Sequence, residues 1–278
     1  MSLISKLISS MRWKSDIARR KFDIDLGNVC EFLNFGDSID IDVYKESGIV
    51  VVHNVFSQTE IDFYIKSLDE ELLKDKYQDI YGEDKYWLSN IANIEKLHSI
   101  LYHEKLLSVI ESLVGQDRKF VGHDSISFNY SVPGHHDDQN THNKFLKGES
   151  YPEDFSTCRV LFYLSPKTSL PQRFGFVPGS HLRDKPEIDY NHSKANTCWV
   201  DVSHGSVIFF DPRLVHTSSA LSHTKRMIVS TYDNETSYTK DIFFLTSDSR
   251  KQGTTSKESD FWKKMEKYNL KPSFIEEN

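Results

Sequence analysis

Two histidines and two aspartates stand together at His135-His136-Asp137-Asp138, directly after Pro133-Gly134. They follow an alternating run from Ser125 to Ser131 that reads as a β-strand. Successive side chains of an extended chain point to opposite faces, so His135 shares a side with Asp137, and His136 with Asp138. Either pair brings an imidazole and a carboxylate to one point, and either needs a third ligand from elsewhere. His216, at the end of Phe209-Phe210-Asp211-Pro212-Arg213-Leu214-Val215-His216, supplies one. Two histidines and one carboxylate on one face of a metal leave its other positions open, an arrangement that suits non-haem Fe(II) oxygenases. A lone His-x-Asp is common by chance and is more often a pair of solvated loop residues. The assignment therefore depends on what the rest of the chain adds.

Arg226 adds a cation. It lies inside the strand-like run Lys225-Arg226-Met227-Ile228-Val229-Ser230-Thr231-Tyr232, which is expected to carry the guanidinium into the interior. A buried arginine is costly unless an anion meets it. A 2-oxo-dicarboxylate such as 2-oxoglutarate fits, with one end on iron and the far carboxylate on Arg226.

From about Ile49 to Asn234 the chain resembles the phytanoyl-CoA dioxygenase-like family of Fe(II)/2-oxoglutarate-dependent oxygenases. The residues that carry the resemblance are Gly48-Ile49-Val50-Val51-Val52, the His-x-Asp, Arg159-Val160-Leu161-Phe162-Tyr163-Leu164 and Phe176-Val177-Pro178-Gly179-Ser180-His181. Gly205-Ser206-Val207-Ile208-Phe209-Phe210-Asp211, His216, Ser218 and Arg226 complete the ordered set. The resemblance implies His135, Asp137 and His216 on iron, with Ser218 and Arg226 on the far carboxylate of 2-oxoglutarate. It also implies O2 as oxidant, release of succinate and CO2, and hydroxylation of a substrate C–H bond. Ser206 departs from the family, which usually has an acid there. The doubled His-His-Asp-Asp leaves two registers, and a one-residue slip exchanges the faces. Gln139 occupies the place where the family commonly has an acid or amide after the ligand aspartate, which favours His135 and Asp137. The pair His136 and Asp138 stays open.

The elements that must position these residues are read from the pattern of apolar residues. From Lys119 to Asn234 short strands alternate with Gly, Pro, Asn and Ser turns, the signature of an antiparallel sandwich or barrel. Before it, Ser57-x-x-Glu60 is a capping box that opens a helix with Ile61, Tyr64, Ile65, Leu68 and Leu72 inward. Trp87 to Val114 is expected to give one or two more helices, with Gly115 as the stop. His98 and His103 sit on that pattern as structural histidines, and Pro178 to His181 reads as a tight turn rather than a ligand site. The expected fold is mainly β with α additions. A double-stranded β-helix, a jelly-roll of the cupin kind, carries an N-terminal helical layer. The expected layout is a basic amphipathic helix at 1–22 and one oxygenase domain at 23–278. Within that domain lie a helical layer at about 57–115, a β-core at about 119–234 and a C-terminal helix at about 258–268. Asp23 to Tyr44 reads as an irregular wrapping linker. The polar loop Thr141–Thr157 is placed to help form the substrate mouth, whereas Leu182–Asn196 reads as a solvated loop, with contact to an anionic substrate as the alternative.

Composition narrows the setting. A net charge of −7 over 278 residues argues against a nucleic-acid binder, which needs a basic surface. Cys30, Cys158 and Cys198 are odd in number and in no metal spacing, which suits a reducing cytoplasm. No apolar run is long enough for a membrane span. Leu3, Ile4, Leu7, Ile8 and Met11, flanked by Lys6, Arg12, Lys14, Arg19, Arg20 and Lys21, form a stripe that packs on the core or docks on an anionic membrane. The expected location is cytoplasmic, with peripheral contact at the inner face of a membrane as the alternative. The expected substrate is a small-molecule, lipid or glycolipid compound. Two rival readings are a non-catalytic β-helix binding module and a cupin-like metalloenzyme that does not use 2-oxoglutarate.

Overall fold

The computed structural model describes residues 31–72, 86–89, 91, 94–128, 132–135, 156–164, 172–182, 197–202, 204–219, 226–235 and 256–275. Its strands are β1 (Glu31–Asn34), β2 (Ile49–His53), β3 (Tyr86–Ser89), β4 (Lys119–Phe128), β5 (Val132–His135) and β6 (Cys158–Tyr163). They continue with β7 (Gln172–Phe176), β8 (Cys198–Val202), β9 (Val207–Phe210), β10 (His216–Ser219) and β11 (Arg226–Asp233). The helices are α1 (Ile41–Ser47), α2 (Gln58–Leu72), α3 (His98–Leu101), α4 (Glu104–Val114) and α5 (Ser256–Lys267).

The strands form a seven-stranded sheet in the order β1-β2-β9-β6-β11-β4-β3 and a four-stranded sheet in the order β5-β10-β7-β8. Only the β1–β2 pair is parallel among the described pairs. The expected jelly-roll core is thus the observed architecture.

Period-two alternation sorts the large sheet into two faces. Ile49, Val51, Leu161, Tyr163, Ile208, Phe210, Met227 and Val229 share one apolar cluster with Phe174, Phe176 and Val200 of the small sheet. That cluster is the space between the sheets. Val50, Val52, Val160, Phe162, Phe209, Ile228 and Tyr232 share the other cluster with residues of α2, α4 and α5. Buried on both faces, the central strands read as nearly unbroken apolar runs.

The helical layer follows from local rules. At the head of α2, Ser57 N donates to Glu60 Oε2 at 2.7 Å and Glu60 N to Ser57 Oγ at 3.3 Å, the expected reciprocal cap. Ile61, Tyr64 and Leu68 then fall on one face and are buried. In α5 the buried stripe is Phe261, Trp262 and Met265. His98 packs edge-on against Phe261 at 4.9 Å, and His103 Nε2 meets Glu60 Oε1 at 3.0 Å. Both histidines are therefore structural.

Two expectations change. Within Asp23 to Tyr44, Glu31–Asn34 is a strand pairing Val50 to His53, and α1 begins at Ile41 with Asp40 as its N-cap. Trp87 is not helical: Tyr86–Ser89 pairs Ser125 to Phe128 at the edge of the large sheet. Edge pairing outweighs the local helical spacing. Residues 1–22, the expected basic helix, lie outside the described residues, as do the polar loops 141–157 and 182–196 except Ser156, Thr157 and Leu182.

Candidate metal and cosubstrate site

The turn that delivers His216 is tightly tied. β9 ends at Phe210, and the next residue, Asp211, accepts from Arg213 N at 2.8 Å and from the Arg213 guanidinium at both carboxylate oxygens. Asp211 N donates to the Gly48 carbonyl at 2.9 Å. On the other side, Val215 N donates to Ser180 Oγ at 2.9 Å. His181 Nε2 donates to the Lys45 carbonyl at 2.9 Å, fastening the Pro178–His181 turn to the C-terminal end of α1. His181 is thus a brace. Burial holds its pKa below the ordinary histidine value, with the nearby Asp211 charge opposing that shift.

His216 opens β10 with its ring in the space between the sheets. It lies 4.7 Å from the Phe210 ring, edge-on, and 5.6 Å from the Phe174 ring, nearly parallel. Its Nδ1 is 2.8 Å from the Leu214 carbonyl. A carbonyl only accepts, so Nδ1 carries the hydrogen and Nε2 carries the lone pair. That is the tautomer a metal-binding histidine needs, oriented by a backbone acceptor as in known metal sites. The donor chemistry of His216 therefore fits iron.

β10 pairs with β5 so that His216 stands opposite His135, and with β7 so that it stands opposite Phe176. Ser218, two residues along β10, is buried and shares the His216 face. Asp137 and the alternative pair His136 and Asp138 lie outside the described residues. The structure thus brings His135, His216 and Ser218 to one pair of strands.

Arg226 is placed elsewhere. In β11 it has the parity of Ile228 and Tyr232, which face the helices, not that of Met227 and Val229, which face the interior. Its Nε donates to Asp69 Oδ1 of α2 at 2.7 Å. The expected interior guanidinium is therefore on the opposite side of the sheet from His216. The reason is one residue of parity: Met227 occupies the interior position.

Sequence reasoning passed over Arg159. It is 4% exposed and lies on the interior face of β6, with the parity of Leu161 and Tyr163. The available signal was one charged residue inside the apolar run from Cys158 to Leu164. Tyr163, also interior, has its phenol pKa raised by burial and stays a neutral donor. Cys158 faces the helices, and burial pushes its thiol up to about 12, against a smaller lowering from the Tyr44 hydrogen bond. It is no nucleophile at neutral pH.

With this geometry in hand, comparison with protein families gives a match to phytanoyl-CoA dioxygenase (PhyH) over residues 44–228. The chain belongs to the phytanoyl-CoA dioxygenase family. Members of this family use Fe(II), 2-oxoglutarate and O2, so the protein is a non-haem Fe/2-oxoglutarate oxygenase. No curated protein matches the chain. Among solved structures it is similar to the non-haem α-ketoglutarate-dependent carbocyclase SnoK from nogalamycin biosynthesis, with 21% identity over 69% of this chain and 81% of that one (TM-score 0.54). It is also similar to the epimerase SnoN in complex with Fe3+, α-ketoglutarate and nogalamycin RO, with 18% identity over 76% of this chain and 89% of that one (TM-score 0.56). At these identities the likeness is one of fold. The matched family segment runs from within α1 to the start of β11, so it contains the helices at residues 58–114, the four-stranded sheet and the large sheet apart from β1 and the rest of β11.

Proposed function

We propose that this dioxygenase hydroxylates a C–H bond of a small-molecule, lipid or glycolipid substrate, with His135, Asp137 and His216 holding Fe(II) and Ser218 contacting 2-oxoglutarate. The observation that carries this reading is the pairing of His216 with His135 across the β10–β5 ladder. Directly opposed residues of an antiparallel pair lie on the same face with Cβ atoms about 4.5–5.5 Å apart, close enough to share one metal. A register through His136 and Asp138 puts the ligand pair on the other face, so this pairing supports His135 and Asp137.

Iron with the oxo acid bound supplies the oxidising power, by coupling decarboxylation to C–H oxidation. The chain supplies geometry. Leu214 fixes the His216 tautomer through its carbonyl. Phe174 and Phe210 wall the imidazole on two sides and keep bulk water from that flank of the site. Ser218 offers a hydroxyl two residues inward on the same strand. An Fe(II) titration followed by a succinate-release screen over fatty acyl, amino acid, sugar and glycolipid compounds tests the function. Hydroxylation predicts one oxygen atom from 18O2 in the product for each succinate formed.

A second outcome has a specific motive: two similar structures are a carbocyclase and an epimerase. Ring closure or epimerisation would release succinate without placing 18O in the product. The same labelling experiment separates the two.

A further inference from the structure

The turn Pro178–His181 ties together two stretches that are distant in sequence. Gly179 N donates to the Ser47 carbonyl at 3.4 Å and His181 Nε2 to the Lys45 carbonyl at 2.9 Å, which clamps the turn to the end of α1. Ser180 Oγ accepts from Val215 N at 2.9 Å, one residue before His216. Asp211 N closes the circuit by donating to the Gly48 carbonyl at 2.9 Å. A change at His181 therefore reaches the start of β10 through one neighbouring side chain.

His181 is 5% exposed. The Lys45 carbonyl only accepts, so Nε2 carries the hydrogen and Nδ1 the lone pair. Nδ1 is buried with no hydrogen-bond partner among the described residues. It faces Gly48, where it would lie 2.6 Å from an added Cβ, so what it meets is a glycine Cα hydrogen, which accepts nothing. The charged groups that act on the ring are Asp211 and Arg213. They neutralise each other: Asp211 Oδ2 accepts from Arg213 Nη2 at 2.6 Å, and Oδ1 from Arg213 Nε at 2.9 Å and Arg213 N at 2.8 Å. A proton added at Nδ1 would create a buried N–H without an acceptor and a buried charge whose nearest carboxylate is already engaged. His103 is the contrast, because its Nε2 meets the Glu60 carboxylate at 3.0 Å and a charge there has a partner.

We propose that His181 is a proton-operated latch on the turn that presents His216. The neutral ring clamps the turn to α1. A proton from solvent at Nδ1 releases the ring from the Lys45 carbonyl and, through Ser180, loosens Val215 and the start of β10. The released ring has the ordinary histidine pKa of about 6.5, so the latch is closed above that pH and opens progressively below it. The latch is a property of the turn, whereas its effect on iron rests on the reading of His216 as a ligand.

The test compares full-length wild type, His181→Gln and Ser180→Ala at pH 7.5 and 5.5. Glutamine keeps an N–H for the Lys45 carbonyl and gains no proton in this range. Hydrogen exchange of the segment Asp211 to Ser219, corrected for the intrinsic effect of pH on exchange, is read by mass spectrometry. A ring that takes its proton only when released increases the open fraction by at most about tenfold between the two pH values. Wild-type exchange is expected to rise by several-fold up to that limit, His181→Gln to stay flat, and Ser180→Ala to exchange fast at both. Fe(II) affinity, measured anaerobically, falls with acid in every chain because ligand histidines bind protons. Wild type is expected to lose several-fold more than either variant. Equal exchange profiles in wild type and His181→Gln overturn the proposal. If His181→Gln does not fold, a pH course in Ser180→Ala as steep as that of wild type, in exchange or in iron affinity, overturns it. A wild type that binds no Fe(II) at pH 7.5 defeats the reading of His216 as a ligand instead, and the exchange profiles then decide the latch by themselves.

Discussion

His216 and His135 are register partners in the ladder between β10 and β5, so the two imidazole-bearing residues furthest apart in the proposed ligand set meet at one rung. The His216 Nδ1 bond to the Leu214 carbonyl makes the rung chemically directional, because it leaves the Nε2 lone pair for a metal. The turn before it, tied by Asp211, Arg213 and Ser180, is what holds that rung in place.

Ser218 offers the first prediction. A hydrogen bond from its hydroxyl to a charged carboxylate is worth about 1.5–3 kcal/mol. Ser218→Ala is expected to raise the Kd for 2-oxoglutarate roughly ten- to a hundredfold while iron content stays the same. An unchanged Kd would remove Ser218 from the cosubstrate site.

Gly48 gives a stability prediction. Its φ is +79°, and an added Cβ would lie 2.6 Å from His181 Nδ1 and 3.0 Å from Leu214 Cδ1. The left-handed backbone alone costs a non-glycine residue about 1–2 kcal/mol, and the His181 ring is bonded to Lys45 and has little freedom to retreat. Gly48→Ala is expected to lower Tm by several degrees and to loosen the turn that carries His216. A melt matching wild type would show that the His181 brace yields cheaply.

His181 also predicts a pH dependence. Its folded pKa lies below the unfolded value of about 6.5 because burial disfavours the charged ring. The unfolded state then binds more protons as pH falls, so the contribution is fully present above about pH 6.5 and is lost toward lower pH. Melting temperatures of wild type are expected to fall more steeply from pH 7.5 to 5.5 than those of His181→Asn. Parallel slopes would assign the acid sensitivity elsewhere.

How much of this was legible depended on whether a strand had a visible second face. The core strands around Arg159, Val207 and Met227 were found because runs of β-branched and aromatic residues between turns have few other readings. Their facing was not legible for the same reason: Met227-Ile228-Val229 is apolar on both sides of the sheet, so nothing in the sequence says which way Arg226 points. Only the ladder, Met227 opposite Tyr163 and Ile228 opposite Phe162, fixes it. Arg159 was hidden in the same way inside the run that ends at Leu164. The edge strand Tyr86–Ser89 was missed because four residues carry too little alternation to compete with the helical spacing that follows. The proposed metal residues were legible because His-x-Asp and a later histidine are informative by type, whatever their elements.

The N-terminal stripe of Leu3, Ile4, Leu7, Ile8 and Met11 with its basic flank bears on the class of substrate. Each basic residue near an anionic surface contributes about 1 kcal/mol. Recruitment to lipid predicts that full-length protein sediments with anionic liposomes and that a chain beginning at Asp23 does not. Equal and negligible binding by both would end the membrane idea.

The most direct test of the iron site is anaerobic Fe(II) binding by wild type, His216→Ala, His135→Ala and His136→Ala in parallel. Wild type and His136→Ala are expected to bind close to one iron per chain, whereas His216→Ala and His135→Ala are expected to lose orders of magnitude in affinity, more than the 10–100-fold typical of a group that only supports a ligand. Retention of iron by His135→Ala together with its loss in His136→Ala would contradict the assignment made from the His216–His135 rung.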